Sequence, residues 1–237
     1  MAGDVIAAVR RELKATADPG TLASFQRFFK EGVTAYGLKA ADMRRVSARF
    51  WKEVEPLPKD EIYRLSEELL ASGYYEEGAV AIGWAERLEP RYEESDFRVF
   101  ERWLGTYVHN WAHCDGLCNH PVGTLVMNYP AFIEDLKGWT GSPNRWVRRG
   151  AAVSLIIPGR KGLFTGDIFA IADRLLADGE DLVQKGYGWM LKAAAEAYED
   201  EVFEYVMARR AAMPRTALRY AIEKMPAARK KAAMARA

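Results

Sequence analysis

The chain has 237 residues, 49% of them hydrophobic and 28% charged, which supplies a core and excludes a disordered, collagen-like or disulfide-stapled chain. Lys and Arg number 34 against 33 Asp and Glu, so a net charge of +1 neither favours nor excludes an anionic partner. No run nears the ~20 apolar residues that cross a bilayer, no charged and apolar leader opens the chain, and the two cysteines sit in one short segment; a cytoplasmic protein away from membranes is expected.

Apolar residues recur at three- and four-residue spacing in almost every segment, and alternating runs of strand type are nearly absent, so the fold class is all-α. In chain order, helices are predicted over 4–17, 22–31, 39–54, 58–72, 75–88, 93–105, 108–118, 121–128, 131–138, 144–157, 164–177, 180–197, 200–208, 214–223 and 226–235. Pro58 and Pro121 suit first turns, where no N–H partner is lost, and Ser142 or Asn144 can cap the segment entering Trp146. Pro158-Gly159 is expected to stop the helix that carries Ala151 to Ile156, and Gly179 to separate the next pair. So many short helices on short connections predict antiparallel hairpins that cover one another's apolar stripes. Trp111, Arg149 and Trp189 are 38 and 40 residues apart, close to a HEAT-like period. The expected architecture is a curved superhelical solenoid of antiparallel HEAT-like repeats, one domain over residues 1–237, with the recurring inner helices lining a concave face.

Charge is uneven along this frame. From Arg209 to the end stand nine basic residues, Arg236 among them, against the single acid Glu223, and this end can meet a phosphate backbone or be a solvated helix and tail.

Three segments could carry chemistry. The first, His109 to His120, holds all three histidines and both cysteines. His109, His113, Cys114, Cys118 and His120 are donors suited to zinc, but pairs on one short helix point in different directions and neither a C-x-x-C knuckle nor an H-E-x-x-H site is present. Cys114 and Cys118 read as small buried hydrophobes, and no metal and no cofactor is expected. On the same helix Trp111 and Asp115 are one turn apart, so an aromatic face and a carboxylate meet, a pair that suits a cation or a developing positive charge. The same residues also fit a core tryptophan beside an exposed or capping aspartate. Trp51, Trp84, Trp103 and Trp139 read as packing between hairpins. The second segment, Asn144 to Ala152, offers Arg148 and Arg149, which cannot share a helix face; one should turn to a groove and the other to a flank or an acidic neighbour. The third, Val183 to Lys192, sets Lys185 and Trp189 on one face and carries two glycines inside a helical pattern, which need a packing reason or a close ligand.

Taken in order, Trp111-x-x-x-Asp115, Trp146-x-x-Arg149-x-Ala151 and Gln184-Lys185-x-x-Gly188-Trp189 resemble the AlkD-like family of DNA alkylation repair enzymes, alkylpurine DNA glycosylases built from HEAT-like repeats. The likeness extends over nearly the whole chain, with Phe28-Phe29 to Gly37-Leu38 and Met43-Arg44-Arg45 similar to the family's opening helices. It departs at Asn110, where relatives often carry a second aromatic, and at Gly186-Tyr187. The resemblance implies that Asp115 is the catalytic carboxylate, that Trp111 and Trp189 embrace the damaged nucleotide, and that Arg149 holds the backbone near the lesion. The implied partner is double-stranded DNA containing N3- or N7-alkylated purines, met by a monomer, with Arg148, Lys185, Arg160 and Lys161 on phosphates. The alternative is a helical-repeat protein that binds DNA or another protein through the same face without catalysis.

Overall fold

The structure is a computed structural model, and it describes residues 2–235. The chain divides into two compact units, Met1–Leu117 and Cys118–Ala237. Arg236 of the basic end lies outside the described residues.

The first unit is built from α1 (Ala2–Ala15), α2 (Pro19–Phe28), α3 (Ala40–Val54), α4 (Lys59–Leu70), α5 (Tyr75–Arg87), a 3-10 turn (Glu89–Arg91), α6 (Asp96–Thr106) and α7 (Trp111–Leu117). Helix α4 packs on α5, α5 on α3 and α7, and α1 on α3. Trp84 and Trp103 are fully buried, and each indole N–H finds an oxygen, the Ser47 carbonyl at 3.2 Å and the Glu67 carboxylate at 2.7 Å. A buried aromatic with its polar edge satisfied loses about 3–5 kcal/mol when cut to alanine, so these two residues anchor the unit.

The second unit opens on a π-helical turn (Cys118–Val122) and continues with α8 (Gly123–Asn128), a 3-10 turn (Pro130–Phe132), α9 (Ile133–Trp139), α10 (Arg145–Val153), α11 (Ile156–Arg160), α12 (Thr165–Arg174), α13 (Asp181–Ala194), α14 (Glu199–Arg209), α15 (Arg215–Ala221) and α16 (Ala227–Met234). Helix α13 is its centre, packed on α10, α11, α12 and α15. Among the described residues the one strand-type contact is an isolated bridge between Thr34 and Tyr74, so the fold is all-α as the periodicity requires.

The repeat is visible in which residues meet. Side chains bond partners about one period away: Trp84 to Ser47, 37 residues back, and His113 to Tyr75, 38 back, in the first unit. In the second, Arg174 reaches Lys137, 37 back, and Arg209 pairs with Asp173, 36 back. Within each unit these helices are thus tied to the equivalent helix of the preceding hairpin, which is how a stack of hairpins closes its core.

Beyond shifts of a few residues at helix ends, two prolines stand elsewhere than expected. Pro158-Gly159 does not end a helix. The chain breaks earlier, at Ser154-Leu155, and Pro158 sits in the first turn of α11, where its missing N–H has no partner to lose. Pro121 stands inside the π-helical turn rather than opening α8. Asn144, not Ser142, caps α10, its Oδ1 accepting from the Trp146 N–H at 2.9 Å. Cys114 and Cys118 lie in the core without a disulfide, as do Trp84, Trp103 and Trp139, while Trp51 is half-buried.

Candidate active site

Helix α7 runs for seven residues before the chain continues helically as the π-helical turn, and its cap and neighbours set which way its faces turn. Asn110 supplies the cap: its Oδ1 accepts from the His113 N–H at 2.9 Å. Trp111 and Asp115 then fall one turn apart on one face, both half-buried. Trp111 lies nearly flat on Phe29, with ring centroids 5.4 Å apart, and meets the edge of Phe28 at 5.5 Å. Phe28 itself is 63% exposed, a large apolar ring in water beside the tryptophan. Trp111 thus packs on two phenylalanines while staying only half-buried.

Why the end of α2 reaches Trp111 follows from two adjacent buried carboxylates on α5. Glu76 accepts the backbone N–H groups of Tyr36 at 2.9 Å, Gly37 at 2.8 Å and Leu38 at 3.0 Å. Glu77 accepts from the Tyr36 hydroxyl at 2.6 Å and from Arg10 Nε at 2.9 Å. Burial and this carboxylate push the Tyr36 phenol up, so it stays a donor. The connection after α2 is therefore clamped to α5, and Phe25 and Phe29 are brought against Tyr75 at 5.2 and 5.3 Å.

Beside the Trp111–Asp115 face, α7 turns Ala112, Gly116 and the edge of His113 into a groove of about 580 Å³ whose other walls include Arg44 of α3 and Tyr75 and Arg87 of α5. Arg87 is held there by the Gly83 carbonyl at 2.8 Å and Ser47 Oγ at 3.3 Å. Arg44 is exposed at the mouth. Neither arginine follows from residue spacing, since the groove forms only when helices some 40 residues apart stack. Phe28 and Arg44 stand within the segments that resemble the family's opening helices, but no spacing signal gives their side chains this place.

Among the described residues, no group of three or more His, Cys, Asp or Glu side chains could hold a metal ion. His113 turns both ring nitrogens to protein partners, Nδ1 to Asn110 Nδ2 at 3.1 Å and Nε2 to the Tyr75 carbonyl at 2.8 Å.

In the second unit Arg149 is buried on α10 and donates to the Leu182 carbonyl of α13. A methyl group on Gly186 would come 3.3 Å from the arginine's Cγ, so this glycine leaves room for Arg149. Gly188 admits α15 instead: a Cβ there would lie 2.7 Å from Tyr220 Cβ and 2.8 Å from the Ala217 carbonyl. Both glycines have packing reasons. Trp189, further along α13, is half-buried. The structure therefore pairs Trp111 with Asp115 on one helix and sets Arg149 against the helix that carries Trp189.

Three of the four side chains expected on phosphates are engaged within the unit. Arg148, 18% exposed, bonds Asp178 at 2.7 Å and the Ser142 carbonyl at 2.9 Å. Lys185 pairs with Asp181 at 2.5 Å and Arg160 with Glu196 at 3.1 Å. Lys161 is exposed, with the Met127 sulfur 3.7 Å from its amine. Three cations of the basic end are likewise paired with acids: Arg209 with Asp173, Lys224 with Glu196, and Arg229 with Glu199 and Asp200.

A sequence model described as DNA alkylation repair enzyme matches residues 9–225 of the chain. The chain belongs to this family. Membership gives it a role in the repair of alkylated DNA, with DNA as its partner. A solved structure described as a predicted DNA alkylation repair enzyme from Enterococcus faecalis shares the fold, with a TM-score of 0.79 over 90% of this chain and 98% of that one, at 19% identity. No curated protein matches. No helix among the described residues is long and apolar enough to cross a membrane.

Proposed function

We propose that the protein is a DNA glycosylase that hydrolyses the N-glycosidic bond of cationic N3- or N7-alkylated purines in duplex DNA. The observation that carries this reading is the Trp111–Asp115 pair: an aromatic face and a carboxylate one turn apart, beside the exposed ring of Phe28. An alkylated purine already bears positive charge, so it departs without protonation, and one carboxylate suffices where sugar hydrolases use two. The C1′–N bond breaks, its electron pair leaves with the base, and the neutral alkylpurine is released. Asp115 stabilises the oxocarbenium-like sugar and orients the water that adds to C1′, whose extra proton passes to bulk water. Trp111 and Trp189 stabilise the cationic nucleotide through their faces, and Arg149 holds the backbone near the lesion. Phosphate contacts fall to Lys161, Arg44 and Arg87, joined by Lys185 and Arg160 where phosphate replaces their exposed carboxylate partners; Arg148 stays with Asp178.

The test is time-resolved release of free base from duplex DNA carrying N7-methylguanine, with spontaneous depurination subtracted. The intact protein releases base, and Asp115→Asn lowers the rate by about 10²–10³ while DNA affinity is kept. Salt-sensitive binding without release by the intact protein refutes activity on that lesion and leaves a non-catalytic DNA-binding protein.

A further inference from the structure

His113 is buried and lies two residues from both Trp111 and Asp115 on α7. At 100° per residue it points to the side of the helix opposite the face those two share. Both of its ring nitrogens have protein partners there, while its edge also lines the groove beside Ala112 and Gly116. The Asn110 amide oxygen takes the His113 backbone N–H, which leaves the amide nitrogen to donate to Nδ1 at 3.1 Å. Nδ1 is then an acceptor, so the ring is neutral with its proton on Nε2, which donates to the Tyr75 carbonyl at 2.8 Å. The ring also stacks on Tyr75, with centroids 5.2 Å apart and planes within 5°. On α5 the imidazole occupies space that any side chain would deny it: a Cβ on Gly78 would come within 2.3 Å of the ring's Cε1. Through Tyr75 the same contact reaches Phe29, on which Trp111 lies.

We propose that His113, seated against Gly78 and Tyr75, is a positioning residue that fixes the rotation of α7 and so aims Trp111 and Asp115 at the substrate. The inference rests on the glycosylase reading for its kinetic consequence, but not for its geometry. His113 makes a hydrogen bond that ties α7 sideways to α5, and its ring stacks on Tyr75 of the same helix. A generic core residue gives stability, which is lost on truncation whichever way α7 faces. A positioning residue gives orientation, and a misplacement of about 1 Å at a reacting group costs up to about 10² in rate.

The experiment compares His113→Ala, His113→Gln, Gly78→Ala and the double variant by single-turnover base release under saturating protein, by DNA affinity, and by the folded fraction at assay temperature. His113→Ala and Gly78→Ala release base roughly 10- to 100-fold more slowly per folded molecule, with affinity within about twofold. Gln, whose amide N–H can reach the Tyr75 carbonyl, restores most of the rate. The double variant is faster than Gly78→Ala alone, because alanine at 113 leaves room for the new methyl group. An unchanged rate per folded molecule in His113→Ala, or additive losses in the double variant, overturns the proposal. A second readout needs no activity: the indole N–H resonance of Trp111, identified by its loss in Trp111→Phe, shifts in His113→Ala and returns towards its position in His113→Gln. If the intact protein releases no base, the glycosylase reading fails, and this resonance alone decides whether His113 sets Trp111; an unmoved resonance then sinks the proposal.

Discussion

Lowering the pH from 7.5 to 5 should destabilise the first unit through His113. Burial outweighs the bond to the Tyr75 carbonyl and holds its pKa at about 4, against an ordinary value of 6.5, with His109 opposing protonation further. The unfolded chain therefore takes up a proton near pH 6.5 that the folded chain refuses until about pH 4. Stability from this group is complete above pH 6.5 and is lost as pH falls through the window between the two values. At 1.36 kcal/mol per unit, the loss is about 2 kcal/mol at pH 5 and about 3 kcal/mol at pH 4. The geometry gives the reason: a proton on Nδ1 would face the Asn110 amide donor and place a charge between Tyr75 and Gly78. The carboxylates held below their ordinary values, among them Asp18, Glu61, Glu93, Asp173 and Glu196, contribute mainly under pH 5, so the upper window belongs to histidine. The assay is urea unfolding at pH 7.5, 6 and 5, in the intact protein and in His113→Gln. With a urea dependence of about 2 kcal/mol per molar, the intact midpoint drops by about 1 M more than the variant's. Equal drops in both proteins would falsify the assignment.

The buried carboxylate of Glu76 should tolerate no amide. Glu76→Gln turns an NH₂ towards a backbone N–H among the three it accepts, at Tyr36, Gly37 and Leu38, and costs about 2–3 kcal/mol in chemical unfolding; a loss under ~0.5 kcal/mol contradicts the clamp. Gly188→Ala drives a methyl group into Tyr220 and the Ala217 carbonyl and should cost about 1–3 kcal/mol, read from the thermal midpoint, whereas Gly179→Ala, with open space around it, serves as the unaffected control. Phosphate contacts are separated by salt titration of DNA binding: Arg44→Ala and Arg87→Ala each lower the slope of log affinity against log salt by about 1. Arg148→Ala leaves that slope in place and lowers stability instead, because its guanidinium joins Asp178 to the Ser142 carbonyl. Equal slopes for all three variants would remove the groove from the phosphate path.

Most helices were legible because the signals that make them are local. Apolar residues every third or fourth position, Asn144 before Trp146 and Gly179 between α12 and α13 each act within one turn, and the helices follow with ends shifted by a few residues. Pro158 misled for a local reason as well. A proline is compatible with a helix's first turn, and only the break at Ser154-Leu155, set by packing in the second unit, decides that a new helix starts just before it. The π-helical turn at Cys118–Val122 has no periodic signature, since one extra residue in a turn leaves the neighbouring apolar spacing readable as two ordinary helices.

The candidate site was legible only in part, and the division is physical. Trp111 and Asp115 share a face because they are four residues apart, so spacing alone places them together. Arg148 against Arg149 could be reduced to one inward and one outward choice but not resolved, because the deciding partners, Asp178 and the Leu182 carbonyl, lie about 30 residues downstream. The same distance hides the groove arginines, the Glu76 clamp and the contact of His113 with Gly78. In a stack of hairpins many such side chains are answered from a neighbouring repeat, 30 to 40 residues away. Local pattern therefore reveals which residues can act together on one helix, while their orientation is written in neighbours that no local pattern pairs. It follows that residues such as Gly78, chosen by what packs against them from another repeat, should prove intolerant of substitution although no local signal marks them.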